Sequence, residues 1–155
     1  MKVLIAIDTR GCETLATEAS QHLPRGAELI CVHVIDSGPR DHMHHLHGPL
    51  RHHKPPHERD RQMNASEEAA GKEALDEAVK NSQATGATSH SVLRRGEPGH
   101  EIVEAARELN ASLIVLRARK HPDHHPKHGP ASIGHTARFV IDHAHCNVLL
   151  LKATK

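Results

Sequence analysis

The feature that most constrains this chain is residues 96–152, where helical and extended periods alternate twice. Ile102, Ala105/Ala106 and Leu109 recur at helical spacing behind Pro98, a residue suited to a first helical turn. Leu113 to Leu116 is a short apolar run between polar residues, which reads as a strand covered on both faces. Ile133, Ala137, Val140, Ile141 and Ala144 then fall at i, i+4, i+7, i+8 and i+11, one face of a second helix. Val148 to Leu151 is a further buried strand. Strands joined through a helix in one sheet lie parallel with a right-handed crossover, so an α/β fold is required.

The rest of the chain reads in the same alphabet. Residues 2–8 form a first strand ending in Asp8, which serves either as a site residue or as a cap for the next turn. Cys12, Leu15/Ala16, Ala19 and Leu23 give a helical stripe that stops at Pro24 and Gly26. Cys12 lies near a helix N-terminus, where a thiol is either activated or simply packed. Residues 28–35 are a second strand, in which His33 reads as a hydrogen-bonded strand histidine rather than a ligand. Asn64 with Glu67 looks like a capping box opening a helix whose buried face is Ala69/Ala70, Ala74/Leu75 and Ala78/Val79. Residues 88–94 form a polar-alternating strand suited to a sheet edge. Five strands on this reading make a doubly wound parallel sheet with helices on both faces, in a single domain spanning 1–155.

Composition narrows function mainly by exclusion. Twenty basic and 19 acidic residues leave a formal charge of +1, with no footprint for nucleic acid or a membrane surface. One Phe, no Tyr and no Trp leave almost nothing on which bases could stack. No apolar run approaches a membrane span, and Met1 leads directly into a strand, so no signal peptide is expected. Three scattered cysteines fit a reducing cytoplasm.

Histidine is the anomaly, at 18 of 155 residues, with seven in 42–57 and five in 121–135. Two stretches therefore stand apart, a His-rich insertion at about 38–61 and a His-rich loop at about 118–131. Their imidazoles make His42, His44, His45, His47, His52, His53, His57, His121, His124, His125 and His128 candidate ligands for Zn, Ni or Cu. The spacing is not that of a rigid metal motif. A solvated tract with incidental affinity, or a cluster that charges between about pH 7 and 5, fits the same residues.

The ordered set GEPxxEIVxxAxELxAxLIVL, then GHTARFVIDHAHCNVLLLK, with MKVLIAIDTR and ELICVHVID ahead of it, resembles a universal stress protein domain. That resemblance implies strand order 3-2-1-4-5, which brings the two His-rich stretches to the carboxyl edge on either side of the first strand. It also implies a homodimer paired through the final strand, NVLLLK. Nucleotide-binding members carry Gly-x2-Gly-x9-Gly-Ser/Thr after the fourth strand. Here Arg117 and Lys120 stand at the first two glycine positions, and thirteen residues separate Lys120 from Gly134. His135 follows Gly134, with Thr136 one further on. Asp8 and Val34 match the adenine-side positions of the family. If ATP or AMP binding is retained, Arg117, Lys120, Ser132, Gly134, His135 and Thr136 would form the phosphate side.

No nucleophile and base are fixed together, so catalysis is not expected. His143 and His145 flank Ala144 at a helix-to-strand turn on the amino edge, where C-terminal capping is the expected role. Three classes remain open: a regulator with a weakened nucleotide site or one that retains it, a metal-binding protein, and an interaction module without a small ligand.

Overall fold

The computed structural model describes residues 1–9, 12–37, 58–118 and 132–152. Its elements run β1 (Lys2–Ala6), α1 (Cys12–Gln21), β2 (Glu28–Asp36), α2 (Glu58–Ala84), β3 (Thr88–Gly96), α3 (Pro98–Glu108), β4 (Leu113–Arg117), α4 (His135–His143) and β5 (Asn147–Leu151). All pairings are parallel, in the order β3-β2-β1-β4-β5. The apolar runs found in the sequence are the central strands: Val3, Leu4 and Ile5 in β1 and Ile114, Val115 and Leu116 in β4 are fully or almost fully buried. Burial on both faces is what makes these strands read as unbroken apolar runs.

Side chains alternate across the sheet and divide the core into two layers. Val3, Ile5, Leu29, Cys31 and Val115 pack beneath Leu15, Ala16 and Ala19 of α1 and Ala74, Leu75 and Ala78 of α2. Leu4, Ile30, Val32, Ile114 and Leu116 pack beneath Ile102, Val103, Ala105 and Ala106 of α3 and Ala137 and Val140 of α4. Small residues dominate the helix side, which lets backbone approach sheet in a core with a single aromatic residue. Glu97 starts α3: its carboxylate accepts from the N–H of Gly99 at 3.0 Å and of His100 at 2.7 Å, with Pro98 first in the helix.

Several boundaries differ from the sequence reading. The long helix α2 starts at Glu58, six residues before Asn64, so it takes in the last residues of the expected insertion. Strong helix formers upstream outweigh the capping box. Asn64 and Glu68 are instead turned toward β3, with Asn64 Oδ1 3.5 Å and Glu68 Oε2 3.9 Å from the Arg95 guanidinium. Ala69 and Ala70 are exposed; the buried row is Gly71, Ala74/Leu75, Ala78 and Ser82, a rotation that the glycine concealed. Ile141, expected in the buried face of α4, is 45 % exposed. β1 stops at Ala6 rather than Asp8, and β3 runs two residues further than expected, to Gly96, because it pairs with β2 along its whole length. Among the described residues no helix is long and apolar enough to cross a membrane.

Candidate functional site at the carboxyl edge

The carboxyl ends of β2, β1 and β4 lie side by side, the place where an open α/β sheet presents its loops. At the end of β1 the Ile7 N–H still donates to Val32 O at 2.8 Å. The Ile7 carbonyl accepts from the imidazole Nδ1 of His33, at 2.9 Å. A carbonyl can only accept, so Nδ1 carries the hydrogen. His33 is therefore the satisfied strand histidine that the sequence suggested, 8 % exposed. Asp8 follows directly and is exposed, its Oδ1 3.4 Å from the Thr9 hydroxyl. Val34, partly buried, packs with the core layer under α3 and α4.

Arg117 closes β4. Its Nη2 donates to Glu18 Oε2 at 2.9 Å and to Thr14 Oγ1 at 3.0 Å, both on α1. Its Nε is buried without a hydrogen-bond partner. The guanidinium is thus drawn to the α1 face of the sheet, while α4 packs on the opposite face. Of the expected phosphate-side residues, Ser132, Gly134, His135 and Thr136 stay together at the start of α4, and Arg117 is tied elsewhere. Lys120 lies outside the described residues, as do all eleven candidate metal ligands, His42, His44, His45, His47, His52, His53, His57, His121, His124, His125 and His128. Among the described residues no three His, Cys, Asp or Glu side chains gather where they could share a metal ion.

The entry to α4 has a specific backbone. Gly134, its N-cap, has φ +103° and ψ 154°, a conformation that side-chain-bearing residues rarely adopt. Its N–H donates to Ser132 Oγ at 3.2 Å, and no side chain caps the N-terminus of the helix. First-turn N–H groups and the positive end of the helix dipole therefore face outward without a capping carboxylate or hydroxyl. At the other end of α4, His143 Nδ1 donates to Phe139 O at 2.9 Å and its ring stacks on Phe139 at 4.1 Å, the C-terminal role expected for it.

Burial pushes the Cys31 thiol up to about 11, against a smaller opposing pull from a hydrogen bond with Ser82. Burial also raises Cys146. Two features escaped the sequence reading. The partners Glu18 and Thr14 of Arg117 lie 99 and 103 residues away in the chain. Gly71 packs directly over the His33 ring, and an isolated Gly in a helical pattern gives no hint of what lies beneath it.

Residues 1–152 match the sequence profile described as the universal stress protein family. Over 87 residues the chain is 37 % identical to universal stress protein MJ0531 of Methanocaldococcus jannaschii, a match covering 55 % of this chain and 48 % of that protein. The matched region thus spans about half the length of that curated relative. Universal stress protein UspA from Lactobacillus plantarum superposes with a TM-score of 0.72 at 25 % identity, covering 97 % of each chain. A universal stress protein from Archaeoglobus fulgidus in complex with dAMP superposes at 0.61 and 25 % identity, covering 98 % of each.

Proposed function

The chain belongs to the universal stress protein family, and from that membership we propose that it is a non-catalytic stress-response module that holds an adenine nucleotide weakly at the carboxyl edge of its sheet. The observation that carries this reading is the start of α4, a helix N-terminus without a side-chain cap behind a glycine at φ +103°. That arrangement suits a phosphate, since backbone N–H groups and the helix dipole both favour an anion there. Asp8 and Val34, at the ends of the two neighbouring strands, supply the base side. A relative of known structure was solved in complex with dAMP. Weak binding follows from Arg117: it takes a glycine position of the family pattern, and its charge is engaged by Glu18 at 2.9 Å. Calorimetric titration of AMP and ATP into metal-stripped protein tests this, with a Kd of about 10 µM to 1 mM expected. Submicromolar ATP affinity, or ATP retained through purification, would contradict the weakened site; no heat at millimolar AMP would contradict the site itself.

A second reading rests on topology. The His-rich stretches leave from β2 and β4, the two strands that flank β1. Imidazoles from both stretches would then complete one coordination sphere for Zn, Ni or Cu over the same edge. Alanine replacement of His121, His124, His125 and His128, and separately of His42, His44, His45 and His47, distinguishes a shared site from two independent tracts. Merely additive losses of metal affinity would leave only independent tracts. The same reading has a cytoplasmic homodimer paired through β5, whose Val148–Leu151 segment is half-buried at an open sheet edge. A monomer by light scattering at about 50 µM, where even a modest interface populates, would remove that part of it.

A further inference from the structure

Three observations meet at His33. Its ring Nδ1 holds the Ile7 carbonyl at 2.9 Å, one residue past Ala6↔Val32, the last register pair of β1 and β2. Its far side is covered by α2 at Gly71, where even a Cβ would approach Cδ2 to 2.6 Å and Nε2 to 3.1 Å. The residue after Ile7 is Asp8, the exposed carboxylate at the mouth of the candidate site. The imidazole is thus a spacer clamped between a helix backbone and the last backbone carbonyl before the site.

We propose that His33 is a positioning residue for the carboxyl-edge site: it fixes the Ile7–Asp8 backbone and transmits the seating of α2 at Gly71 to it. Beyond Ala6 the ladder between β1 and β2 ends, and Ile7 is tied to β2 by one backbone bond and by this imidazole. A segment leaving a sheet edge frays unless its backbone groups keep partners. The ring supplies that partner from within the core, where a hydrogen bond is shielded from competing water. Gly71 sets the ring's position, because no other residue type leaves room for an imidazole under α2. The direction in which Asp8 presents its carboxylate is therefore set by helix packing behind it.

This inference rests on the nucleotide reading for its functional consequence, but one arm of its test does not. His33→Leu removes the donor while filling the space, and His33→Asn keeps an N–H donor at the position of Nδ1. Amide hydrogen exchange in the ligand-free chain should be about tenfold faster at Ile7, whose N–H donates to Val32 O, in His33→Leu, and close to wild type in His33→Asn. Val115 in the sheet centre should lose clearly less protection than Ile7 in His33→Leu, whereas a general loss of stability alone would leave the extra acceleration at Ile7 unexplained. AMP affinity should fall about tenfold in His33→Leu and less than about threefold in His33→Asn. Should His33→Leu fail to fold, Gly71→Ala displaces the same ring, and faster exchange at the Ile7 amide is again expected. Unchanged exchange at the Ile7 amide in the variant that folds overturns the inference, whatever the chain binds. Wild-type protein without AMP affinity overturns only the nucleotide reading, and the exchange rates still decide the role of His33.

Discussion

Replacing Gly71 by Ala should destabilise the fold, although alanine is the better helix former. Mid-helix, the exchange by itself favours the folded state by about 1 kcal/mol. Against this, the new Cβ would sit 2.6 Å from His33 Cδ2, 3.1 Å from Nε2 and 3.2 Å from Leu93 Cδ1. His33 is 8 % exposed and bonded to Ile7 O, so the ring cannot step aside without giving up that bond. Overpacking of this kind costs about 1–3 kcal/mol, and a lost buried hydrogen bond about 1 kcal/mol more. The balance is a net loss of about 1–3 kcal/mol, or about 2–12 °C in Tm for a chain of this size. With no Trp or Tyr to report by fluorescence, far-UV circular dichroism in urea is the assay. In a His33→Ala background the main obstacle is gone and leaves space into which Leu93 Cδ1 can shift, so Gly71→Ala should then stabilise. A wild-type background in which Gly71→Ala raises the urea midpoint would refute the reasoning, because propensity alone would then decide the position.

Three further outcomes follow from other parts of the structure. Glu18→Gln and Arg117→Ala should each cost about 1 kcal/mol, a figure held down by partial solvent exposure of the pair. Their effects should be non-additive in a double-mutant cycle, and strict additivity would mean that the pair is not formed in solution. Cys31 holds its proton more tightly in the folded chain, so its contribution to stability is full below the ordinary thiol value of 9.0 and lost as pH rises toward about 11. Cys31→Ser should flatten that alkaline decline in denaturation curves, and an unchanged slope would assign it to other groups. Gly134→Ala should lose about 1–2 kcal/mol through strain at φ +103° and weaken AMP binding with it; wild-type stability would show that the turn relaxes freely.

The sheet was legible because its strands are short apolar runs set between helical stripes, and nothing but a parallel arrangement connects them that way. Pro98 announced the start of α3 through local chemistry alone, while the capping role of Glu97 came only with the fold. Strand order came from family resemblance, since periodicity has no information about which strands are neighbours. What stayed hidden depends on residues far apart in sequence. Arg117 reads as a free cation until Glu18 is brought beside it, and Gly71 reads as a helix defect until His33 is found beneath it. The start of α2 was misplaced for a different reason: Asn64 and Glu67 have the spacing of a capping box, but the upstream residues also favour a helix. At the site, the sequence named the residues around Gly134, while the direction of the Arg117 side chain required the fold.

The central claim is that an adenine nucleotide sits at the carboxyl edge, with its phosphate at the start of α4. An amide-resolved NMR titration of the uniformly labelled, metal-stripped protein with AMP measures this directly. Shifts are predicted at Asp8 and Thr9, at Val34, and from Ser132 through Ala137, saturating together with one Kd of about 10 µM to 1 mM. Arg117 should move little, because Glu18 and Thr14 already hold it. Shifts confined to the opposite edge, around Arg25 and Gly86, or a spectrum unchanged at several millimolar AMP, would contradict the account.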